Sequence, residues 1–439
     1  MLRINDTSTP VAVLRSDSHG GLNIIRSLGR LGVPVYNVDP NPSAPAFWSR
    51  YCQGMFLWDI EHQPTDESLN YLCNVRRKIA RPCILIPTTD RTAQFVADHS
   101  KTLAEDFIFP KQPDGLVHSL ASKQEMYHLA LRHNIPTPGA IFPRSRKDIL
   151  SFLEQAHFPI MLKGIDGQKL WDRTGKKMFI ARTENELLEL YDTAEDPQCP
   201  NLMLQEYIPG GDDTIWMFNG YFNEHSDCLV GFTGKKIRQC PIHTGSTSLG
   251  ICLHNPAVEE ITRRFMKAIG YRGVLDIGYR YDARDNQYKV LDVNPRIGAT
   301  FRLFAGENGM DVVRALYLDI TNQEVISGPA KEGRKWIAED LDLVSSYRYY
   351  RCGELSLTGW IRSFRGTEEA AFTCSDDPLP VVAMLASRSK ELIRRLLQKA
   401  RQELQCSAFG LALTQPDHPG SSLSATERTL NLHNKKSGY

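Results

Sequence analysis

Between residues 11 and 108 short apolar runs alternate with amphipathic stretches, and this order restricts the fold more than any other feature of the sequence. "VAVLR" (11–15) has a buried-strand pattern, "LNIIRSLGRLG" (22–32) an amphipathic helical one closed by Gly32, and "VPVYNVD" (33–39) is the next strand. "CILIP" (83–87) is another, with "TTD" (88–90) opening the helical "RTAQFVADHSKTLAEDF" (91–107). Parallel strands need long crossovers, so strands separated by helices point to a parallel sheet. Such sheets bind small molecules at the carboxyl ends of their strands.

After about residue 120 the texture changes. "SKQEMYHLALRHNIPTPG" (122–139) begins with a capping box, Ser122 to Glu125, which puts Lys123 in the first turn of a helix. "FPIMLKGIDGQKLWDRTGKKMFIAR" (158–182) reads as a strand ending in Lys163, a glycine-containing loop and a returning strand. "TENELLELYD" (183–192) is a helix with a box at Thr183 and Glu186, and "NLMLQEYIPGGDD" (201–213) a strand that runs into a Pro-Gly-Gly turn. Residues 214–238 form a hairpin ending in a basic run, 255–270 a helix stopped by Gly270, and 274–294 a second hairpin. This half is α+β, with antiparallel hairpins.

Within that last hairpin, "KVLDVNPRIGATFRLF" (289–304) places Asp292, Asn294 and Arg296 at two-residue spacing. Side chains alternate along a strand, so Asp292 and Asn294 share a face. Oxygen ligands beside a guanidinium suit a hard cation and a phosphate. A strand end turning at Asn-Pro is the structural alternative.

The bulk properties exclude several classes. With 52 basic and 51 acidic residues the net charge is +1, which gives no field for nucleic acid or an anionic membrane. No apolar stretch is long enough to span a bilayer, and the first residues lack the apolar core of a secretory signal. Ten cysteines without a CxxC fit reduced thiols, so a cytoplasmic location is expected. His19-Gly20-Gly21 with Asp39 is similar to half of a dinucleotide-binding unit, yet "HGGLNI" is not GxGxxG. Turn glycines and a turn histidine account for it, which disfavours a nicotinamide-dependent enzyme.

In their order, "RSLGRLGVPVY", "KKMFIAR", "QEYIPGGDD", "FTGKKIRQ" and "LDVNPR" resemble the ATP-grasp superfamily over residues 11–325, and within it the predicted carboxylate–amine ligases. The resemblance implies a Rossmann-like pre-ATP-grasp domain (1–115) and an ATP-grasp domain (116–325) with a lid at about 150–208 and an antiparallel subdomain. A C-terminal accessory region (326–412) and a disordered tail (413–439) complete the expected organisation. It implies Mg-ATP (or Mn-ATP) as cofactor and small-molecule carboxylate and amine substrates, joined through an acyl phosphate with release of ADP and phosphate. Whether the chain is a homodimer is left open.

Residue by residue, Lys123 and Lys163 match the lysines that neutralise the ATP phosphates. Gln205–Ile208 matches the adenine hinge, with Glu206 and Ile208 offering main-chain groups, and Asp212 or Asp213 the acid on the ribose hydroxyls. Loop 164–176 matches the mobile phosphate cover. Lys235, Lys236 and Arg238 fit the basic group near the transferred phosphoryl or the substrate carboxylate. Asp292 and Asn294 match the magnesium pair, and Arg296 the arginine that stabilises the anionic intermediate. Substrate specificity is expected in the pre-ATP-grasp loops and around Arg296 and Arg302.

One position departs from the family pattern. Where an acid or glutamine is usual, this chain has Gly278, with Asp276 two residues earlier on the same strand face, roughly 6.5 Å away. Asp276 is the expected compensating ligand. A catalytically weak ATP-binding regulatory protein with a decayed metal site is the alternative. Residues 390–404 read as an amphipathic basic helix packed on the body.

Overall fold

The computed structural model describes residues 3–16, 19–390 and 393–394. Three sheets follow one another along the chain. The first holds β1 (Val11–Leu14), β2 (Val35–Val38), β3 (Cys52–Phe56), β4 (Cys83–Pro87) and β5 (Phe107–Ile108), in the order β3-β2-β1-β4-β5. All of its pairings are parallel, as the strand–helix alternation requires. β1 is buried along its whole length, and Leu14, Leu72, Val75 and Leu85 belong to the core of this layer.

The second sheet contains β6 (Ala140–Ile141), β7 (Ile160–Gly164), β8 (Met178–Ala181) and β9 (Leu202–Glu206), in the order β6-β9-β7-β8. Its pairings are antiparallel, and it has its own core around Leu162, Leu170, Leu187 and Leu204. The third sheet joins β10 (Ile215–Phe222), β11 (Cys228–Cys240), β12 (Ser246–Cys252), β13 (Gly273–Asp282), β14 (Gln287–Asn294), β15 (Lys335–Ile337) and β16 (Thr367–Ala370) in the order β14-β13-β10-β11-β12-β15-β16. Phe218, Phe265, Leu275 and Val290 pack beneath one of its faces, with the helix Pro256–Ala268 against them.

Several sequence expectations change here. The glycines at 20 and 21 lie in the first turn of the helix His19–Gly29, not in a loop. A Cβ on Gly21 would come within 2.5 Å of Ser16 Cα, so glycine lets this helix start against the end of β1. The helix expected over 91–107 breaks at His99 into Asp90–Asp98 and Ser100–Leu103. Loop 164–176 contains the helix Gly167–Thr174, capped by Asp166 and closed by left-handed Gly175.

The region after 325 is built into the large sheet through β15 and β16, and the compact unit extends to Ala383. Buried charges tie it to the first helix. Arg26 donates to Asp377 Oδ2 (2.9 Å) and to the carbonyls of Ala371 and Phe372. Arg302 pairs with both Asp311 and Glu369, while Ser27 donates to Asp311. The expected tail (413–439), and the helix over 390–404 beyond 390, 393 and 394, lie outside the described residues. Among the described residues the cysteines are free thiols, and no helix is long and apolar enough to cross a membrane.

Candidate active site

β13 and β14 pair antiparallel, with Asp276 opposite Asn294 and Gly278 opposite Asp292. Asn294 Nδ2 donates to Asp276 Oδ2 and Asp292 Oδ2, each at 3.3 Å, so the three side chains converge on one face. Register shifts between Gly278 and Tyr279, leaving Leu291 as the extra residue on β14. A Cβ at Gly278 would lie 2.5 Å from Asp292 Oδ1, so the glycine makes the space in which that carboxylate lies. Asp276 rests in the same way against Gly298, 2.5 Å from the position of its absent Cβ.

Among the described residues no group of three His, Cys, Asp or Glu side chains could hold a metal ion. The row offers two carboxylates and an amide. That set fits Mg²⁺, which retains waters and takes its other ligands from phosphate. Gly278→Ala is therefore expected to leave the unfolding temperature nearly unchanged, because only a side-chain tip must move. It should weaken magnesium-dependent nucleotide binding by about tenfold in titration calorimetry.

Three lysines face Asp292 from three elements. Lys163 ends β7 and donates to Gln205 Oε1 at 2.6 Å. Lys123 opens the helix Lys123–Arg132, which Ser122 caps through the Glu125 N–H. The other half of the expected box does not form, since the Ser122 N–H closes the preceding helix on the His118 carbonyl. Lys123 Nζ reaches to 3.5 Å from where a Gly167 Cβ would stand. Lys236, on β11, donates to the Gly245 carbonyl at 2.9 Å.

Burial pushes all three ammonium groups down, and the Asp292 carboxylate opposes the shift in each. For Lys163 burial, aided by Lys123 and Arg280, brings the value to about 8. Lys163 is thus charged below pH 8 and loses its proton above it. Affinity for a polyphosphate should fall as pH rises through that value. Titrations between about pH 7 and 9 should show this limb, and Lys163→Arg should flatten it because a guanidinium stays charged.

Arg296 links the row to the parallel-sheet layer. Its Nε donates to Asp90 Oδ1 at 2.7 Å and its Nη2 to Asn294 Oδ1 at 3.2 Å. Burial pushes Asp276 up to about 6, with Arg296 opposing and Asp292 adding to the shift. Asp90 was not singled out in the sequence, where it reads as an acid in a helix's first turn. Arg280 was missed as well: it stacks over Tyr207 at 5.8 Å, donates to the Gly210 carbonyl at 2.5 Å and lies in the field of Lys163. The two-residue spacing Asp276, Gly278, Arg280 was the available signal.

At the hinge, Gln205 is buried against Lys163, and Ile208 is buried too. Glu206 gives its N–H to the Gly139 carbonyl, and its carboxylate pairs with Arg284 at 2.6 Å. Asp212 accepts from Gln239 Nε2 (2.9 Å), His243 Nδ1 (3.3 Å) and the Tyr349 hydroxyl, which commits its oxygens. Asp213 is exposed, so of the two aspartates it is the one open to a ribose.

The basic run divides. Lys235 lies over the Trp216 ring at 4.6 Å, on the core side of the sheet, away from Asp292. A bulge at Ile237 breaks the alternation after Lys236. Gln239 returns to the side of Lys236, while Arg238 makes a two-pronged pair with Asp342 at 2.8 Å and is only 3% exposed. Arg302 is equally committed, to Asp311 and Glu369. His19 packs against Trp336 at 5.1 Å.

No family model matches the chain. A D-aspartate ligase from Enterococcus faecium (strain Aus0004) is 25% identical over 258 residues, covering 57% of this chain and 60% of that protein. Thus the chain spans less than two thirds of this relative's length. The ADP complex of N5-carboxyaminoimidazole synthetase from Staphylococcus aureus superposes with a TM-score of 0.58 at 13% identity, over 76% of this chain and 82% of the other. An L-amino acid ligase from Bacillus licheniformis gives 0.55 at 13% identity, over 74% and 78%. A parallel-sheet layer, a small antiparallel sheet and a large antiparallel sheet, in this order and with these likenesses, give the chain the ATP-grasp fold, and its sequence is similar to a carboxylate–amine ligase of that fold.

Proposed function

We propose that the protein is a magnesium-dependent ligase that activates a small-molecule carboxylate with ATP and joins it to an amine, releasing ADP and phosphate. One observation carries the reading: Lys123, Lys163 and Lys236 converge from three elements on Asp292, beside Asp276 and Asn294. A structural ion pair would need one lysine there, whereas a triphosphate with its metal needs several cations facing an acidic row. The likeness to a D-aspartate ligase and an L-amino acid ligase supports an amino acid as one of the two substrates.

In this reading Lys123 and Lys163 hold phosphate oxygens, and Lys236 faces the transferred phosphoryl group. Asp276, Asp292 and Asn294 would hold Mg²⁺, which when bound neutralises phosphate charge. Glu206 and Ile208 border the base, and Asp213 takes the ribose hydroxyls. Arg296, steadied by Asp90, stabilises the oxyanion of the tetrahedral intermediate that forms when the amine adds to the acyl phosphate. The amine then attacks the acyl carbon and phosphate leaves. Gly278, the basis for a decayed metal site, is here the seat of the Asp292 carboxylate.

Calorimetric titration of ATP with magnesium and then with EDTA, followed by ADP release across pairs of amino acids and other carboxylates, tests the proposal. Metal-dependent binding with amine-dependent ADP release is expected. An absence of ATP binding in both conditions would sink it, and binding without turnover on any pair would favour the regulatory alternative.

A further inference from the structure

A cavity of about 500 Å³ lies beside Arg296, and none of Lys123, Lys163 and Lys236 lines it. Residues 93–102, across the helix break at His99, and the segment 109–118 wall it on one side, and the start of β13 with Pro295–Ile297 walls it on the other. Asp276, Asp292 and Asn294 do not line it. Its volume is that of a site for a small organic ligand.

The lining has two characters. Leu85, Val96, Phe109 and Leu316 make an apolar floor. Of its cations Arg296 is held by Asp90 at 2.7 Å, which leaves Lys101, Lys111 and Arg272; of its two acids Asp98 is paired with His118 at 2.7 Å, which leaves Asp114. Arg272 carries the second, independent observation. Its Nη1 donates to the Lys111 carbonyl at 3.2 Å, while its Nε is buried with no hydrogen-bond partner among the described residues. A buried donor left unpaired is costly, and a turn of the guanidinium toward an oxyanion in the cavity would satisfy it.

We propose that this cavity binds a small organic carboxylate with an apolar body, held by Arg272 and seated on the apolar floor. The occupant is distinct from the nucleotide, since none of Lys123, Lys163, Lys236, Asp276, Asp292 and Asn294 lines the cavity. Contact with Pro295 and Arg296 would bring it against the strand end that carries Asn294. The proposal does not depend on the ligase reading.

The test uses the full chain and benzoate as probe, with binding read by calorimetry, and benzyl alcohol as its uncharged counterpart. Two variants locate the site: Arg272→Gln removes the charge, and Ala97→Trp fills the space. Benzoate is expected to bind the wild-type chain, and about tenfold more weakly in each variant that keeps the wild-type unfolding temperature. Benzyl alcohol should bind weakly and alike in wild type and Arg272→Gln. No benzoate binding at about 10 mM, or equal affinity in wild type and either folded variant, would overturn the proposal.

Discussion

Asp292→Ala is expected to lower magnesium-dependent ADP release by about 10²–10³-fold, the largest effect of any single substitution in the site. Two losses coincide. One of the two carboxylates available to the metal disappears, and so does the negative charge that opposes the burial of Lys123, Lys163 and Lys236. Three cations would then face the phosphates without their shared counter-charge. Metal-free ATP should therefore bind the variant no more weakly than the wild type, even as turnover fails. Steady-state ADP release and calorimetry in EDTA separate the two effects. Turnover at the wild-type rate would remove Asp292 from the metal set.

Arg238→Met should act on stability instead. The guanidinium and Asp342 are 3% and 2% exposed and meet through two hydrogen bonds, so removing one partner strands a buried charge. A loss of about 3–5 kcal/mol is expected in urea unfolding. Arg238→Met with Asp342→Leu should recover much of it, because neither charge is then left alone. Nucleotide affinity measured well below the unfolding midpoint should match wild type. A normal unfolding curve with a large fall in turnover would return Arg238 to the reacting groups.

The contrast between these two residues shows what the sequence could reveal. The Asp292–Asn294 row was legible because strand alternation is a local rule, and it holds from Asp292 to Asn294, beyond the bulge at Leu291. The parallel layer was legible for a similar reason, as its strands and helices carry clean periodicities. The family resemblance grouped Arg238 with Lys236, but a bulge at Ile237 turns it to the other side. Nothing in "GKKIRQ" marks the bulge. The Arg296–Asp90 bond joins residues 206 positions apart, so spacing could not find it. Loop 164–176 looked irregular because of its glycines, yet Asp166 caps a helix there and Leu170 buries its inner face. β15 and β16 have three and four residues, too few for a period, so the region after 325 could not be recognised as part of the large sheet.

The latch at Arg26 has a consequence for how the molecule is made. Its partner Asp377 follows 351 positions later in the chain. At usual translation speeds that interval is on the order of half a minute. Until then the first helix presents to the growing chain a guanidinium whose acceptors have not been synthesised. The parallel layer, which precedes the other two sheets in the chain, is thus not fully locked until the last strand of the large sheet has been made. A nascent chain stopped before residue 371 would lack every recorded acceptor of Arg26 and would leave its guanidinium unpaired in the first helix.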